Sequence, residues 1–186
     1  MKLFAPSTTT FKKCPAGNHL AVCIGVIDQG TQEETFAGET KMRRKIYIGW
    51  ETPHETGEDG TPFRIGRNYT FSANEKATLR RDVESWLGKN LNEELQKGFS
   101  MQTLIGKGCF LNVVHEENNG RTYANIHSVA ALPKGTVAPG PTHETMYFSL
   151  DVDEYNPDVF ERLAPYMKER ISLSPEWNKI SNASPF

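Results

Sequence analysis

The chain has 186 residues, 37% of them hydrophobic and 10% aromatic, and a formal net charge of −2. This composition is typical of a folded domain rather than a disordered chain, and no apolar run is long enough to cross a membrane as a helix. The N-terminus lacks the apolar segment of a signal peptide. Three cysteines, Cys14, Cys23 and Cys109, lack the spacing of a disulfide framework or a zinc site. We therefore expect a protein of the reducing cytoplasm.

The alternation and clustering of apolar residues predict five strands and one main helix. A flexible N-terminal arm (1–17) precedes them. The Asn119-Gly120 pair is a strong signal for a tight turn between the last two strands. In chain order the predicted segments are a strand 18–28, a loop 29–42, a strand 43–51, a loop 52–62, a strand 63–71, a helix 73–88, and strands 107–116 and 121–131.

The main helix has a predicted start, an apolar face and a predicted end. Ser72-Ala73-Asn74-Glu75 matches a capping box, in which the first and last side chains satisfy free backbone amides. Gly88 is suited to ending the helix. The apolar face is formed by Ala77, Leu79, Val83, Trp86 and Leu87.

Residues 136–186 form a predicted acidic C-terminal extension. Between Glu144 and Glu161 there are six acidic and no basic residues. We expect a short edge strand at 146–150, a helix from Pro157 to Ile171 that is broken near Pro165, and a helix start at 174–176.

Five strands with one helix between the third and the fourth is the order of elements in the OB-fold, a five-stranded Greek-key barrel. An SH3-like barrel would lack a helix of this length, and a doubly wound α/β sheet would need helices between successive strands. We therefore predict a mainly β protein with helices, whose OB-fold nucleic-acid-binding domain spans 18–135. The acidic extension with short helices follows it.

The centre of the chain is basic: nine basic and five acidic residues lie between Lys41 and Arg81. Binding of a single strand without sequence preference requires positive charge and exposed aromatic rings. In an OB barrel the second and third strands, with their adjoining loops, form the usual binding face. The candidate DNA-binding residues are Arg43, Lys45, Tyr47, Phe63, Arg64, Arg67, Tyr69, Arg121 and Tyr123.

Several aromatic residues are instead expected in the core. Trp50 shares a strand face with Ile46 and Ile48, and we expect Phe71 and Trp86 in the core as well. For Tyr47 and Tyr123 both a core and a surface position stay open, because a tyrosine ring can pack while its hydroxyl is exposed. We also expect the acidic extension to fold over the basic face and compete with DNA.

Four segments resemble a family of bacteriophage and prophage proteins described as replication-associated or single-strand-DNA-binding-like. The resemblance covers about residues 18–135. It implies an OB-fold and binding of single-stranded DNA in phage replication or recombination, inside the host bacterial cytoplasm. The segments are KIYIGWE (45–51), LIGK (104–107), VVH (113–115) and YANI (123–126).

The terminal Pro185-Phe186 resembles the end of bacterial single-strand-binding proteins. In those proteins an acidic tail that ends in Pro-Phe recruits replication and repair partners. Here residues 182–184 carry no acid, which departs from that pattern. Docking of a replication or recombination protein by Pro185-Phe186, and a Pro-Phe end that arose by chance, both stay open.

No motif indicates catalysis, and we predict neither a metal nor another cofactor. The five histidines do not form a zinc-binding pattern, and no Walker or nucleophile-elbow sequence occurs. Two alternatives to DNA binding are a phage-encoded module that binds host or phage replication proteins, and, with less support, a metal-dependent nuclease. Homo-oligomerisation stays open.

Overall fold

The computed structural model of the chain describes residues 12–183. Within this range the protein is mainly β with short helices, as predicted, and no helix is long and apolar enough to cross a membrane. The strands are β1 (Gly17–Phe36), β2 (Glu39–Thr56), β3 (Pro62–Thr70), β4 (Gly108–Asn118), β5 (Arg121–Ala130) and β6 (Met146–Phe148). The helices are α1 (Thr78–Leu87), α2 (Asn92–Lys97), a 3-10 helix (Met101–Leu104), α3 (Pro157–Arg162), α4 (Pro165–Ser172) and α5 (Pro175–Ala183).

The strands form one sheet in the order β3-β2-β1-β4-β5, with every neighbouring pair antiparallel. β1 pairs with β4 through residues 17–22 and with the parallel β6 through residues 25–27. Register shifts near Cys23 and Asp28 interrupt its pairing with β2, and such irregularities bend a strand. The sheet curls so that its two outermost strands, β3 and β5, contact each other.

The prediction of a loop at 29–42 is wrong, because these residues extend β1 and β2 into a long hairpin. Its turn is Ala37-Gly38, with φ angles of 50° and 82°. The residues near the turn are exposed on both faces, so they lack the apolar alternation that identifies a strand in sequence. The loop predicted at 52–62 is likewise shorter, since β2 continues to Thr56.

The predicted start of the main helix is also wrong, whereas its end is confirmed. α1 begins at Thr78 without a capping side chain. The Ser72 and Asn74 side chains accept hydrogen bonds from backbone amides two residues further on, and these local turns compete with helix formation. Gly88 ends α1 in the left-handed conformation. The Asn119-Gly120 turn is confirmed as well, with both residues at positive φ.

The main core fills the space between the curled sheet and α1. Trp50 is fully buried, and its ring lies 5.6 Å from that of Trp86. Trp86 also donates a hydrogen bond to the carbonyl of Gly108 (2.8 Å), which connects α1 to the start of β4. The predicted core positions of Trp50 and Trp86 are therefore confirmed, but Phe71 is 43% exposed.

A second core joins the C-terminal extension to the opposite face of the sheet. Phe148 and Phe160 pack with Ile27 of β1, and Tyr47 of β2 lies at the edge of this cluster. Both the amide and the hydroxyl of Thr31 donate to the carboxylate of Glu176 in α5 (2.8 and 2.6 Å). The extension thus covers the outer face of β1 and β2 mainly through apolar contacts.

Asp28 of β1 links its own strand to β2 and to the segment after β6. Its carboxylate accepts hydrogen bonds from the Gly30 amide, the Leu150 amide and the Arg44 guanidinium. Arg44 also pairs with Asp151 of the extension (2.9 Å). This ion pair joins the extension to β2, whereas the competition of the extension with DNA stays a prediction.

Candidate nucleic-acid interface

A groove lies between the first half of β3 and the start of β5, where the edges of the curled sheet approach each other. We call it the β3–β5 groove. Four basic and no acidic side chains line it, together with two aromatic rings. Its lining is Lys12, Lys13, Cys14, Phe63, Arg64, Ile65, Gly120, Arg121, Thr122, Tyr123 and Ala124.

Two turns place the functional groups of this groove. Phe63 and Arg64 directly follow the five-residue connection between β2 and β3, and Arg121 and Tyr123 directly follow the Asn119-Gly120 turn. Because strand residues alternate between faces, Ile65 points into the core while Arg64 stays exposed. The sequence proposed all four of these residues, and the curl of the sheet brings them together.

The two aromatic rings of the groove differ in exposure. Tyr123 is 46% exposed. Phe63 is half-buried against the main core, and the Lys12 ammonium lies 5.9 Å from the centre of its ring. Bases stack on exposed aromatic faces in a positively charged groove, and Tyr123 is the more exposed of the two rings here.

Few acidic side chains of the protein pair with the cations of the groove. Among residues 12–183, Lys13, Arg64 and Arg121 form no salt bridge. Lys12 donates to the carbonyl of Thr56 (3.3 Å). Guanidinium and ammonium groups that keep their charge at the surface attract phosphates, and binding releases the counterions condensed on the nucleic acid.

Glu51 is the strand neighbour of Arg64, yet its carboxylate is directed to the linker before β6. It is fully buried and accepts from the amides of Thr142 and His143 (2.6 and 2.9 Å) and from Nδ1 of His143 (2.6 Å). Burial by itself would raise the pKa of Glu51, but these three hydrogen bonds outweigh it and hold that pKa below its ordinary value. The carboxylate of the cross-strand neighbour of Arg64 is therefore engaged by Thr142 and His143.

Lys45 and Tyr69 are not available at the surface, which corrects their assignment to an exposed binding face. Lys45 is 7% exposed and contacts Glu34 (2.5 Å) and the hydroxyl of Thr70 (2.9 Å). Tyr69 is 3% exposed, because its position on β3 faces inward. Burial and the neighbouring Asp82 raise the pKa of Tyr69 well above its ordinary value, and its hydroxyl donates to Asp82 (2.9 Å).

Arg67 and Tyr47 are occupied by contacts within the protein. Arg67 pairs with Asp82 of α1 (3.1 Å) and lies over the ring of Tyr69. The ring of Tyr47 covers two glycines; a Cβ atom on Gly66 would lie only 2.0 Å from its hydroxyl oxygen. Burial raises the pKa of Tyr47 to about 12. The outer face of β2 is thus covered by the extension and by its own tyrosine.

The remaining proposed residues lie elsewhere or outside the described range. Arg43 is exposed and lines a separate pocket at the other end of β3. Pro185 and Phe186 lie outside the described residues. Sequence reasoning missed Lys12 and Lys13, which it placed in a flexible arm, because a polar stretch carries no periodic signal of where it packs.

Within residues 12–183, no group of three or more His, Cys, Asp or Glu side chains is arranged to hold a metal ion. Comparison with known proteins adds no relative, since neither a family model nor a curated protein matches the chain.

Proposed function

We propose that the curled sheet is an OB-fold and that the chain binds single-stranded DNA in the β3–β5 groove without catalysing a reaction on it. The strand order β3-β2-β1-β4-β5, the contact between β3 and β5, and the position of α1 between β3 and β4 support the fold. The resemblance of residues 18–135 to phage single-strand-DNA-binding-like proteins supports a role in phage DNA replication or recombination.

One observation carries the proposed function: the groove combines four basic side chains, no acidic one, and the rings of Phe63 and Tyr123. Stacking contributes about 1–3 kcal/mol per base and tolerates every base, because each base has a π-face. Phosphate contacts likewise carry no sequence information. We therefore propose binding with little sequence preference.

The test is a titration of fluorescent oligo-dT at low and moderate salt, with duplex DNA of the same length as a competitor. We expect single strands to bind more tightly than duplex and the affinity to fall steeply with salt. Absence of binding at micromolar protein, or equal binding of duplex, would contradict the proposal. The first of these results would instead favour the protein-interaction alternative.

A pair of double variants assigns the binding to the groove. Arg64→Ala with Arg121→Ala should weaken oligo-dT binding about tenfold or more and lower the slope of log affinity against log salt by about 1.4, since each phosphate contact to a single strand contributes about 0.7. Lys134→Ala with Lys179→Ala removes the same charge from exposed positions outside the groove and serves as the matched control. If the two double variants bound equally well, the charge of the whole protein rather than this groove would explain the affinity.

A further inference from the structure

β3 borders a second basic pocket beyond the β3–β5 groove. This distal pocket is formed by residues 67–70 of β3, by Arg43 and Lys45 of β2, and by the loop that leads into α1 with the first residues of that helix. Its basic lining residues are Arg43, Lys45, Arg67 and Lys76, and its other lining residues are mostly Asn, Ser and Thr. As in the β3–β5 groove, no acidic residue lines it.

The four cations of the distal pocket are not equivalent. Lys45 and Arg67 are held by Glu34 and Asp82, which lie outside the lining. Arg43 is about half exposed, with its Nε at 3.9 Å from Glu34. Counting these two acids, the pocket keeps a net charge of +2, and its accessible cations are Arg43 and Lys76.

Lys76 lies in the turn before α1 and is exposed. In the part of the chain that the structure describes, its ammonium makes neither a salt bridge nor a hydrogen bond. Its backbone amide donates to the Asn74 side chain (2.9 Å), which holds the turn in place. The chain thus keeps a cation at this position without an internal partner for it.

The outer face of β3 runs between the two sites, and the ring of Tyr47 covers Gly66 midway along it. Arg64 at one end and Asn68 further along are both exposed, and at 3.3 Å per strand residue they lie roughly 13 Å apart. Beyond the distal pocket Phe71 is 43% exposed, with the Arg44 guanidinium 5.5 Å from its ring centre. Charge, polar groups and an aromatic ring therefore recur at the far end of the same strand.

We propose that a polynucleotide held in the β3–β5 groove continues along β3 into the distal pocket, where Arg43 and Lys76 bind its phosphates. This inference rests on the proposed function and adds a second subsite to it. Only a strand long enough to leave the first groove reaches the second one. The contribution of the distal pocket must therefore depend on the length of the oligonucleotide.

The experiment compares oligo-dT of about 4 and about 16 nucleotides, the limits of the site sizes known for barrels of this kind. Arg43→Ala with Lys76→Ala should weaken binding of the long oligonucleotide about tenfold, lower its slope of log affinity against log salt by about 1.4, and leave binding of the short one within twofold. The Lys134→Ala with Lys179→Ala protein is the charge-matched control.

Circular dichroism and the unfolding midpoint verify that each variant is folded. If the double variant is unstable, Lys76→Glu alone repeats the test, because the Lys76 side chain is exposed.

The outcomes separate the two claims. An unchanged affinity for the long oligonucleotide, or equal weakening at both lengths, overturns the distal subsite while binding in the β3–β5 groove stands. If neither length binds the wild-type protein, or if Arg64→Ala with Arg121→Ala changes neither affinity, the proposed function fails and the distal subsite fails with it.

Discussion

Ser174 packs directly on Gly30: a Cβ atom on Gly30 would lie 2.4 Å from the Cβ of Ser174. Gly30 also has a φ of +69°, a conformation that side chains rarely adopt. Ser174 itself is fully buried and accepts a hydrogen bond from the Trp177 amide (3.1 Å) at the start of α5. The C-terminal extension is therefore fitted to the bend in β1 and depends on the absence of a side chain there.

Gly30→Ala should destabilise the protein by roughly 2–4 kcal/mol, because backbone strain adds to overpacking. Gly38→Ala is the matched control, since Gly38 has a φ of +82° but a Cβ atom added there would meet no other atom within 4 Å; it should cost only the strain, about 1 kcal/mol. Urea unfolding measures both. Equal losses would mean that Ser174 does not press on β1 at this position.

The buried Glu51 carboxylate should make stability depend on pH. Its folded-state pKa lies below its ordinary value, so its stabilising contribution is complete above the unfolded pKa, near 4.5, and is lost as the pH falls through the folded value. Glu51→Gln should cost about 2–3 kcal/mol at pH 7, and this difference from the wild type should shrink as the pH falls below 4.5. Unfolding titrations from neutral to acidic pH measure it.

Glu58→Gln provides the control for that experiment, because Glu58 is exposed in the nearby loop. The free energy of unfolding of the Glu58→Gln protein should match that of the wild type at pH 7 within about 0.5 kcal/mol. If the loss in free energy of unfolding caused by Glu51→Gln stayed constant down to acidic pH, the shape of the Glu51 side chain rather than its charge would hold the linker at Thr142 and His143.

Lys45 and Arg121 should respond in opposite ways to replacement by alanine. Lys45→Ala removes a nearly buried cation from Glu34 and Thr70 and should lower the free energy of unfolding by about 1–3 kcal/mol. The folded variant should bind oligo-dT of about 4 nucleotides, which does not reach the distal pocket, as tightly as the wild type. Arg121→Ala should leave stability within about 0.5 kcal/mol and weaken oligo-dT binding. Urea unfolding and fluorescence titration of each variant separate the effects. A Lys45→Ala protein that is as stable as the wild type but binds oligo-dT poorly would show that Lys45 contributes to binding.

The three cysteines should react with a thiol reagent only after unfolding. All three are buried; burial raises the pKa of Cys23 to about 12 and that of Cys109 well above its ordinary value, and the pKa of Cys14 is also raised. Since the thiolate is the reactive form, we expect no reaction at pH 8 in the native state and three equivalents per chain in denaturant. One rapidly reacting equivalent without denaturant would show that the structure opens locally around one of the three thiols.

Local patterns in the sequence determined most of the elements. The turn at Asn119-Gly120 and the apolar face of α1 with its end at Gly88 follow from residues close together in the chain, and the alternation with Ile46 and Ile48 placed Trp50 on the core face. The hairpin around Ala37-Gly38 could not be predicted in this way, because it extends beyond the core and has no buried face to impose an alternation.

Only the tertiary structure decided which charged and aromatic residues remain accessible. The sequence placed nine candidates on or near one face, but Asp82 of α1 engages Arg67 and Tyr69, and the C-terminal extension packs beside Tyr47. The curl of the sheet instead gathers Arg64 and Arg121, with Phe63 and Tyr123, into one groove beside Lys12 and Lys13. Strand alternation specifies the face on which a side chain lies, whereas its exposure depends on packing partners that are distant in the chain.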